Sequence, residues 1–481
     1  MRNNLHYVSI FLIIFLLTAC SKENDLLDTE DIATPAFALD DTADDLAFER
    51  NTLNAAGVTT LSNDVVEKWT EVLLEVERYA AGMRPNASAR ALAYIYLASY
   101  ETAVPGMSDH ISSVTALHGT DIELPQLRRP VHWELALNES FRITLNHFLI
   151  NVPATTKSKI NALHASLDQE LSRGLSRRMI NQSKQWGALV ANTVIRYSQT
   201  DRSAERQILE PQPRSYEPPT GAGYWTYSAE PERALFPYWG TARAFVIPPN
   251  RTRSVRPLTY SENPNSPYFK EMMETYEVST AAKANADESL WIAEFWSDDV
   301  EGMMFSPPAR QFSIANQLIN QYDLNLEETL VLYLKLGVSL NDAAVATWKY
   351  KYQYMVMRPN VFIQDFIDPN YQTNLYRLIY WPNPTFPSYP SGHSCFASAA
   401  AGIFIDFFGN STNFTDYSHD GRQEFIGKPR TFYSFEAMAS ENAFSRIPLG
   451  VHIRMDCEEG LRLGYEIADA INRVDLRKNA G

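Results

Sequence analysis

Cysteine is scarce, with three in 481 residues. Cys20 closes an N-terminal apolar run, which leaves Cys395 and Cys457. In an oxidising compartment those two could pair, but buried free thiols are the expected state. Excess positive charge is also missing. A net charge of -15 argues against nucleic acid or an anionic membrane surface as partner. Early in the chain there is no run long enough to span a bilayer, because the apolar stretch of residues 7 to 17 falls short of the ~20 residues required. Period-two alternation over several strands is absent, as is any internal repeat, so a sheet-based or solenoid fold is not expected.

What remains is a helical globular composition. Apolar residues make up 45% and charged residues 21%, enough for a sizeable core. Asp64 and Glu67 form a capping pair ahead of Val66, Trp69, Leu73, Val76 and Tyr79 at helical spacing. Similar stripes predict helices over residues 89–100, 133–150, 160–171, 179–197, 268–282, 289–296 and 311–321. Asn325 with Glu328 caps a helix over 326–336, and another from about 339 carries Trp348 and Lys351 one turn apart. The final helix is expected over 449–474, with His452 on it, and 408–442 reads as an irregular connection. The expectation is an all-α bundle: one domain over residues 61–481, preceded by an acidic tether over 20–60.

Two segments stand outside that pattern. Residues 1–19, with Arg2, the apolar run and Leu17-Thr18-Ala19 before Cys20, read as a bacterial lipoprotein signal with the Cys20 thiol lipidated. The expected destination is the outer membrane or cell surface, with the periplasm as the alternative. Residues 205–260 are rich in proline and aromatics. So long a loop in a compact domain is expected to pack across the bundle mouth, although packing far from any site would fit equally.

Chemistry concentrates in three blocks. Pro387-Ser388-Tyr389-Pro390-Ser391-Gly392-His393 ends in a small-residue helix. Ser391, Gly392 and His393 therefore sit at a helix N-terminus, where backbone N–H groups and the dipole favour an anion. Upstream, Lys351 and Arg358 are seven apart and would share a face if one helix ran up to Pro359. Downstream, Arg446 precedes His452, and Asp456 follows at i,i+4, so one ring nitrogen can meet the carboxylate and the other a ligand. Three cations, a helix start and two imidazoles suit a tetrahedral oxyanion.

The order Lys, six residues, Arg-Pro; then Pro-Ser-Gly-His; then Ser-Arg, five residues, His, three residues, Asp resembles the signature of the acid phosphatase and vanadium haloperoxidase superfamily, over residues 348–456. That resemblance implies a helical bundle and two candidate reactions at one site. In the haloperoxidase reaction His452 ligates vanadium. Lys351, Arg358, Ser391, Gly392 and Arg446 hold the vanadate oxygens, His393 serves as base for hydrogen peroxide, and Lys351 polarises the bound peroxide. The halide, whether iodide, bromide or chloride, is then oxidised to hypohalous acid. In the phosphatase reaction His452 forms a phosphohistidine and His393 protonates the leaving alcohol. A non-catalytic oxyanion-binding lipoprotein is a third possibility.

Chain length and the mass before the motifs favour the haloperoxidase. So do Trp348 and Phe386, which match halide-pocket positions of that family, although simple core packing would fit each ring equally. Lys349 departs from the acidic residue many bacterial relatives carry there. As an extra cation it could touch halide affinity or sit on a solvated face.

Overall fold

The structure, a computed structural model, describes residues 57–117, 121–228, 230–298 and 300–478. The signal segment, Cys20 and all but the last few tether residues lie outside that set. Helices α1 (Asp64–Glu77), α2 (Asn86–Ala103), α3 (Trp133–Phe148), α4 (Ala154–Leu171) and α5 (Arg177–Gln199) follow the apolar stripes. A short α6 (Arg202–Leu209) intrudes on the segment expected to be helix-free. Then come α7 (Pro267–Asn285), α8 (Glu288–Phe295), α9 (Pro307–Tyr322), α10 (Leu326–Tyr354) and α11 (Pro359–Phe366). The last group is α12 (Gly392–Phe408), α13 (Phe435–Phe444), the one-turn α14 (Arg446–Leu449) and α15 (Arg454–Asn472). Phe414–Asp416 and Arg430–Phe432 pair antiparallel and are the only strands among the described residues. The fold is all-α, as expected.

α10 is the central beam. The Asn325–Glu328 capping box starts it as expected, but it runs 29 residues without the expected break. Gly337 does not end the helix; it lets α10 approach α2, where a Cβ would stand 3.0 Å from Ala93 Cα. α10 is apolar enough to cross a membrane, yet 89% of its apolar window is buried as core. α15 lies along α12 on two glycines one turn apart. A Cβ at Gly460 would meet the Ser391 carbonyl at 2.5 Å, and one at Gly464 would meet Ser398 Oγ at 2.1 Å. That close approach sets the helix beginning at Ser391 beside the helix that carries Asp456.

Three expectations near the motifs need correction. Lys351 and Arg358 do not share a helix: α10 stops at Tyr354, and Met355 turns left-handed at φ 52°. The Pro- and aromatic-rich segment pulls the chain away there, with Trp225 N–H donating to the Met355 carbonyl (2.6 Å) and Met357 N–H to that of Gly223 (3.0 Å). Arg358, extended before Pro359, becomes the N-cap of α11. His452 is likewise off any helix, because Gly450 (φ 83°) ends α14 and α15 begins only at Arg454. Residues 408–442 hold the strand pair and the start of α13, which composition concealed.

The loop between α6 and α7 packs against the motif-bearing end of α10. Asp342 accepts backbone N–H groups of Phe245, Val246 and Ile247 at 2.7, 2.9 and 3.0 Å. Leu235 O accepts from Trp348 Nε1 (3.2 Å) and from the Tyr352 hydroxyl (2.7 Å). Lys349 points into this loop, donating to Pro249 O. Its charge is spent there. Cys395 and Cys457 are buried free thiols.

Candidate active site

A cavity of about 220 Å³ opens where the three blocks meet, walled on its inner side by Trp348, Phe386, Gly392, His393, Arg446 and His452. A larger cleft of about 950 Å³ surrounds His110, Glu327 and Arg473 and contains none of the motif residues. Size does not locate the chemistry here; the side chains do.

Ser391 is the N-cap of α12, its hydroxyl accepting from Ser394 N–H at 3.3 Å. Gly392 opens the helix beside the Trp348 ring, which a Cβ would meet at 3.4 Å. Ser391 N–H donates to the Asp456 carbonyl at 2.9 Å, which ties the turn to α15. His393 lies one step inside the helix and is 7% exposed. Its Nε2 is 2.8 Å from Ser297 O. A carbonyl can only accept, so Nε2 bears hydrogen, and Nδ1 is the basic nitrogen of the neutral ring. Arg446 Nη1 donates to the same carbonyl at 3.2 Å.

His452 is 2% exposed and its two nitrogens face opposite environments. Nδ1 is 3.0 Å from Asp456 Oδ2. Nε2 is 3.2 Å from Arg358 Nη1. A guanidinium can only donate, so Nε2 carries the lone pair and Nδ1 the proton. Burial, then the charges of Arg358, Lys351 and Arg446, hold His452 far below the usual imidazole range, and the ring is neutral. Burial pushes the Asp456 carboxyl upward, opposed by the Ser388 hydroxyl and by Lys351 and Arg358.

Lys351, Arg358 and Arg446 are all fully buried. Lys351 Nζ donates to the carbonyls of Pro387 (3.0 Å), Ser388 (2.8 Å) and Pro390 (2.6 Å). Burial and Arg358 press its pKa well below that of a free lysine. Three carbonyl acceptors nevertheless match the three protons of an ammonium, and the geometry is that of the charged form. Arg358 Nε donates to Phe386 O (2.9 Å) and its Nη1 to Val451 O (2.9 Å). Lys351, Arg358 and Ser391 thus stand behind the cavity wall, while Gly392, His393, Arg446 and His452 form it.

Trp348 and Phe386 are in contact, with ring centroids 4.9 Å apart. Lys351 Nζ and Arg358 Cζ each lie 5.0 Å from the Phe386 centroid. Sequence reasoning assigned no role to Ser388, whose hydroxyl donates to Asp456 Oδ2 at 2.5 Å, nor to the Ser297 carbonyl that orients His393 and Arg446. Ser388 stood within the quoted motif. Nothing in the sequence marked Ser297, which reaches the site only through the fold.

The donor set fits an oxyanion and not a bare cation. Among the described residues no group of three His, Cys, Asp or Glu could hold a metal ion. Guanidinium and ammonium charges, a helix N-terminus and one imidazole lone pair suit the oxygens and the centre of a tetrahedral metal oxyanion.

Residues 331–478 match the family described as the VCPO second helical-bundle domain. The vanadium chloroperoxidase of Curvularia inaequalis is 22% identical over 34% of this chain and 35% of its own length. The chain thus aligns with about a third of that relative. A bacterial vanadium-dependent iodoperoxidase structure superposes with TM-score 0.76 at 24% identity, over 87% of this chain and 98% of that one. A holo-type bacterial vanadium-dependent chloroperoxidase gives 0.63 at 16%, over 82% and 93%. Residues 331–478 thus match the family's second helical-bundle domain, and the fold is the one seen in the bacterial vanadium-dependent iodoperoxidase and chloroperoxidase structures.

Proposed function

We propose that the protein is a vanadate-dependent haloperoxidase that uses hydrogen peroxide to oxidise a halide to hypohalous acid. The observation that carries this reading is the bare Nε2 of His452, fixed by Asp456 behind it and set beside Arg358 at a cavity wall shared with His393 and Arg446. His452 Nε2 would ligate vanadium, with Arg446 and the Gly392 N–H donating to the oxygens from the cavity wall, the charges of Lys351 and Arg358 offsetting theirs from just behind it, and Ser391 there as a further hydrogen-bonding group. Bound vanadate supplies a Lewis-acidic centre that activates peroxide toward halide attack. His393 Nδ1 takes the peroxide proton, and the ring can receive it because Nε2–H is already held by Ser297 O. Trp348 and Phe386 exclude water from one side, which strengthens the pull of the Lys351 charge.

The test is to add orthovanadate and hydrogen peroxide to the purified protein and compare iodide, bromide and chloride oxidation with aryl phosphate hydrolysis. Halide oxidation that requires vanadate supports the reading. Hydrolysis through a phosphohistidine, without halide oxidation, overturns it. We further infer export as a lipoprotein anchored through Cys20 at the outer membrane or cell surface, on the residues before Cys20 alone. Cys20→Ser should leave the membrane fraction; unchanged partition with an unmodified N-terminus by mass would contradict the anchor.

A further inference from the structure

Ser388 is 1% exposed and touches three parts of the site at once. Its hydroxyl donates to Asp456 Oδ2 at 2.5 Å and lies 3.2 Å from His452 Nδ1. Its carbonyl accepts from Lys351 Nζ at 2.8 Å, and its N–H donates to Val356 O at 2.9 Å. Asp456 is fully buried and uses one oxygen for everything. Oδ2 takes the Ser388 O–H, the His452 Nδ1–H at 3.0 Å and the Ile453 N–H at 3.3 Å, while Oδ1 has no hydrogen-bond partner. Without the hydroxyl, the carboxylate that orients His452 would be held only by a long backbone contact and by the ring it is meant to hold.

We propose that Ser388 is a positioning residue, whose hydroxyl locks the Asp456 carboxylate and thereby the Nδ1–H tautomer and ring plane of His452. A hydroxyl suits the place because it donates to the carboxylate while accepting from Nδ1–H. Alanine can do neither, and an acidic side chain would repel Asp456. The backbone of Ser388 adds a second link, so the turn that fixes the Lys351 ammonium also fixes the imidazole. The consequence for vanadate rests on the proposed function; the consequence for the ring does not.

The experiment compares wild type, Ser388→Ala and Ser388→Thr. In the vanadate-free protein, ¹⁵N-histidine NMR should show His452 with protonated Nδ1 and bare Nε2 in wild type. Ser388→Ala should give averaged nitrogens, and orthovanadate affinity should fall about tenfold, the usual effect of losing a partner that orients a metal ligand. Inorganic phosphate needs only the charges, and its affinity should stay within about twofold of wild type. Ser388→Thr, which keeps the hydroxyl, should restore the tautomer and the vanadate affinity. The proposal is overturned if Ser388→Ala keeps the wild-type ring signature and vanadate affinity. Vanadate and phosphate affinities falling together, or a Thr variant that behaves like Ala or unfolds, also overturn it. Wild type that takes up no vanadate, with the ring signature still moved by Ser388→Ala, would sink the haloperoxidase reading and leave the positioning role standing.

Discussion

Phe386 shows how one ring can be both wall and electrostatic platform. It touches Trp348 on one side and faces the Lys351 and Arg358 cations, each 5.0 Å from its centroid. Desolvated cation–π contacts of this kind are worth about 0.5–2 kcal/mol each, so the phenyl ring stabilises the charges it helps to keep dry. Phe386→His would replace that face with a titratable group whose unperturbed pKa is about 6.5. The two neighbouring cations disfavour the imidazolium, so the new group should titrate below that value. The variant should therefore change its halide preference mainly on the acid side of the pH profile, with vanadate affinity altered far less. Iodide, bromide and chloride oxidation measured across pH for both proteins checks this; superimposable profiles would reduce Phe386 to packing. A second expectation separates binding from proton transfer. His393→Ala leaves Lys351, Arg358, Arg446 and the α12 N-terminus in place, so it should keep most of the vanadate affinity. Peroxide-dependent turnover at saturating vanadate should fall by about 10²-fold or more, the usual contribution of a positioned base. Near-normal turnover would remove His393 from that role.

Among the elements, α12 and α15 matter most, because their separation sets how Asp456 meets the turn at Ser391. A Cβ at Gly464 would lie 2.1 Å from Ser398 Oγ and 2.3 Å from the Cys395 carbonyl. Gly464→Ala should force the helices apart and destabilise the fold by about 1–3 kcal/mol, with a parallel loss of vanadate affinity as Asp456 shifts. Chemical denaturation and vanadate titration of the variant test both effects; an unchanged midpoint would mean that the interface yields without cost. Much of this architecture was legible beforehand. Apolar stripes located most helices because burial of one face governs them, and the Asn325–Glu328 box marked the start of α10 because capping is local. Ends decided from elsewhere were not legible. Arg358 left the helix of Lys351 because Trp225 and Gly223 of a distant loop take backbone hydrogen bonds at Met355 and Met357. The pairing of His452 with Asp456 was readable from its spacing and forms at 3.0 Å, although across a helix start and not along a helix. The Ser297 carbonyl carries no side-chain signal at all.

Over the whole molecule, the site is a concentration of positive charge inside a protein whose net charge is -15. Lys351, Arg358 and Arg446 are fully buried, and the Asp456 carboxylate lies close to Lys351 and Arg358. Burying like charges near one another is unfavourable unless an anion compensates them. Backbone carbonyls hold these cations in place: those of Pro387, Ser388 and Pro390 for Lys351, of Phe386 and Val451 for Arg358, and of Trp296 and Ser297 for Arg446. Binding of a tetrahedral oxyanion should therefore stabilise the entire domain, because the ligand meets this arrangement only in the folded state. At a concentration 100 times its Kd, orthovanadate should add about 2.7 kcal/mol, which on a chain of this length amounts to a rise in Tm of about 3 °C. Phosphate should also raise Tm, but needs a higher concentration because it gains no bond to His452 Nε2. Arg358→Ala should raise the midpoint concentration for both ligands and flatten both responses. Thermal unfolding followed against orthovanadate and phosphate concentration decides the matter. A Tm indifferent to saturating vanadate in the wild type would show that the cluster of buried cations is balanced within the protein and that no oxyanion belongs there.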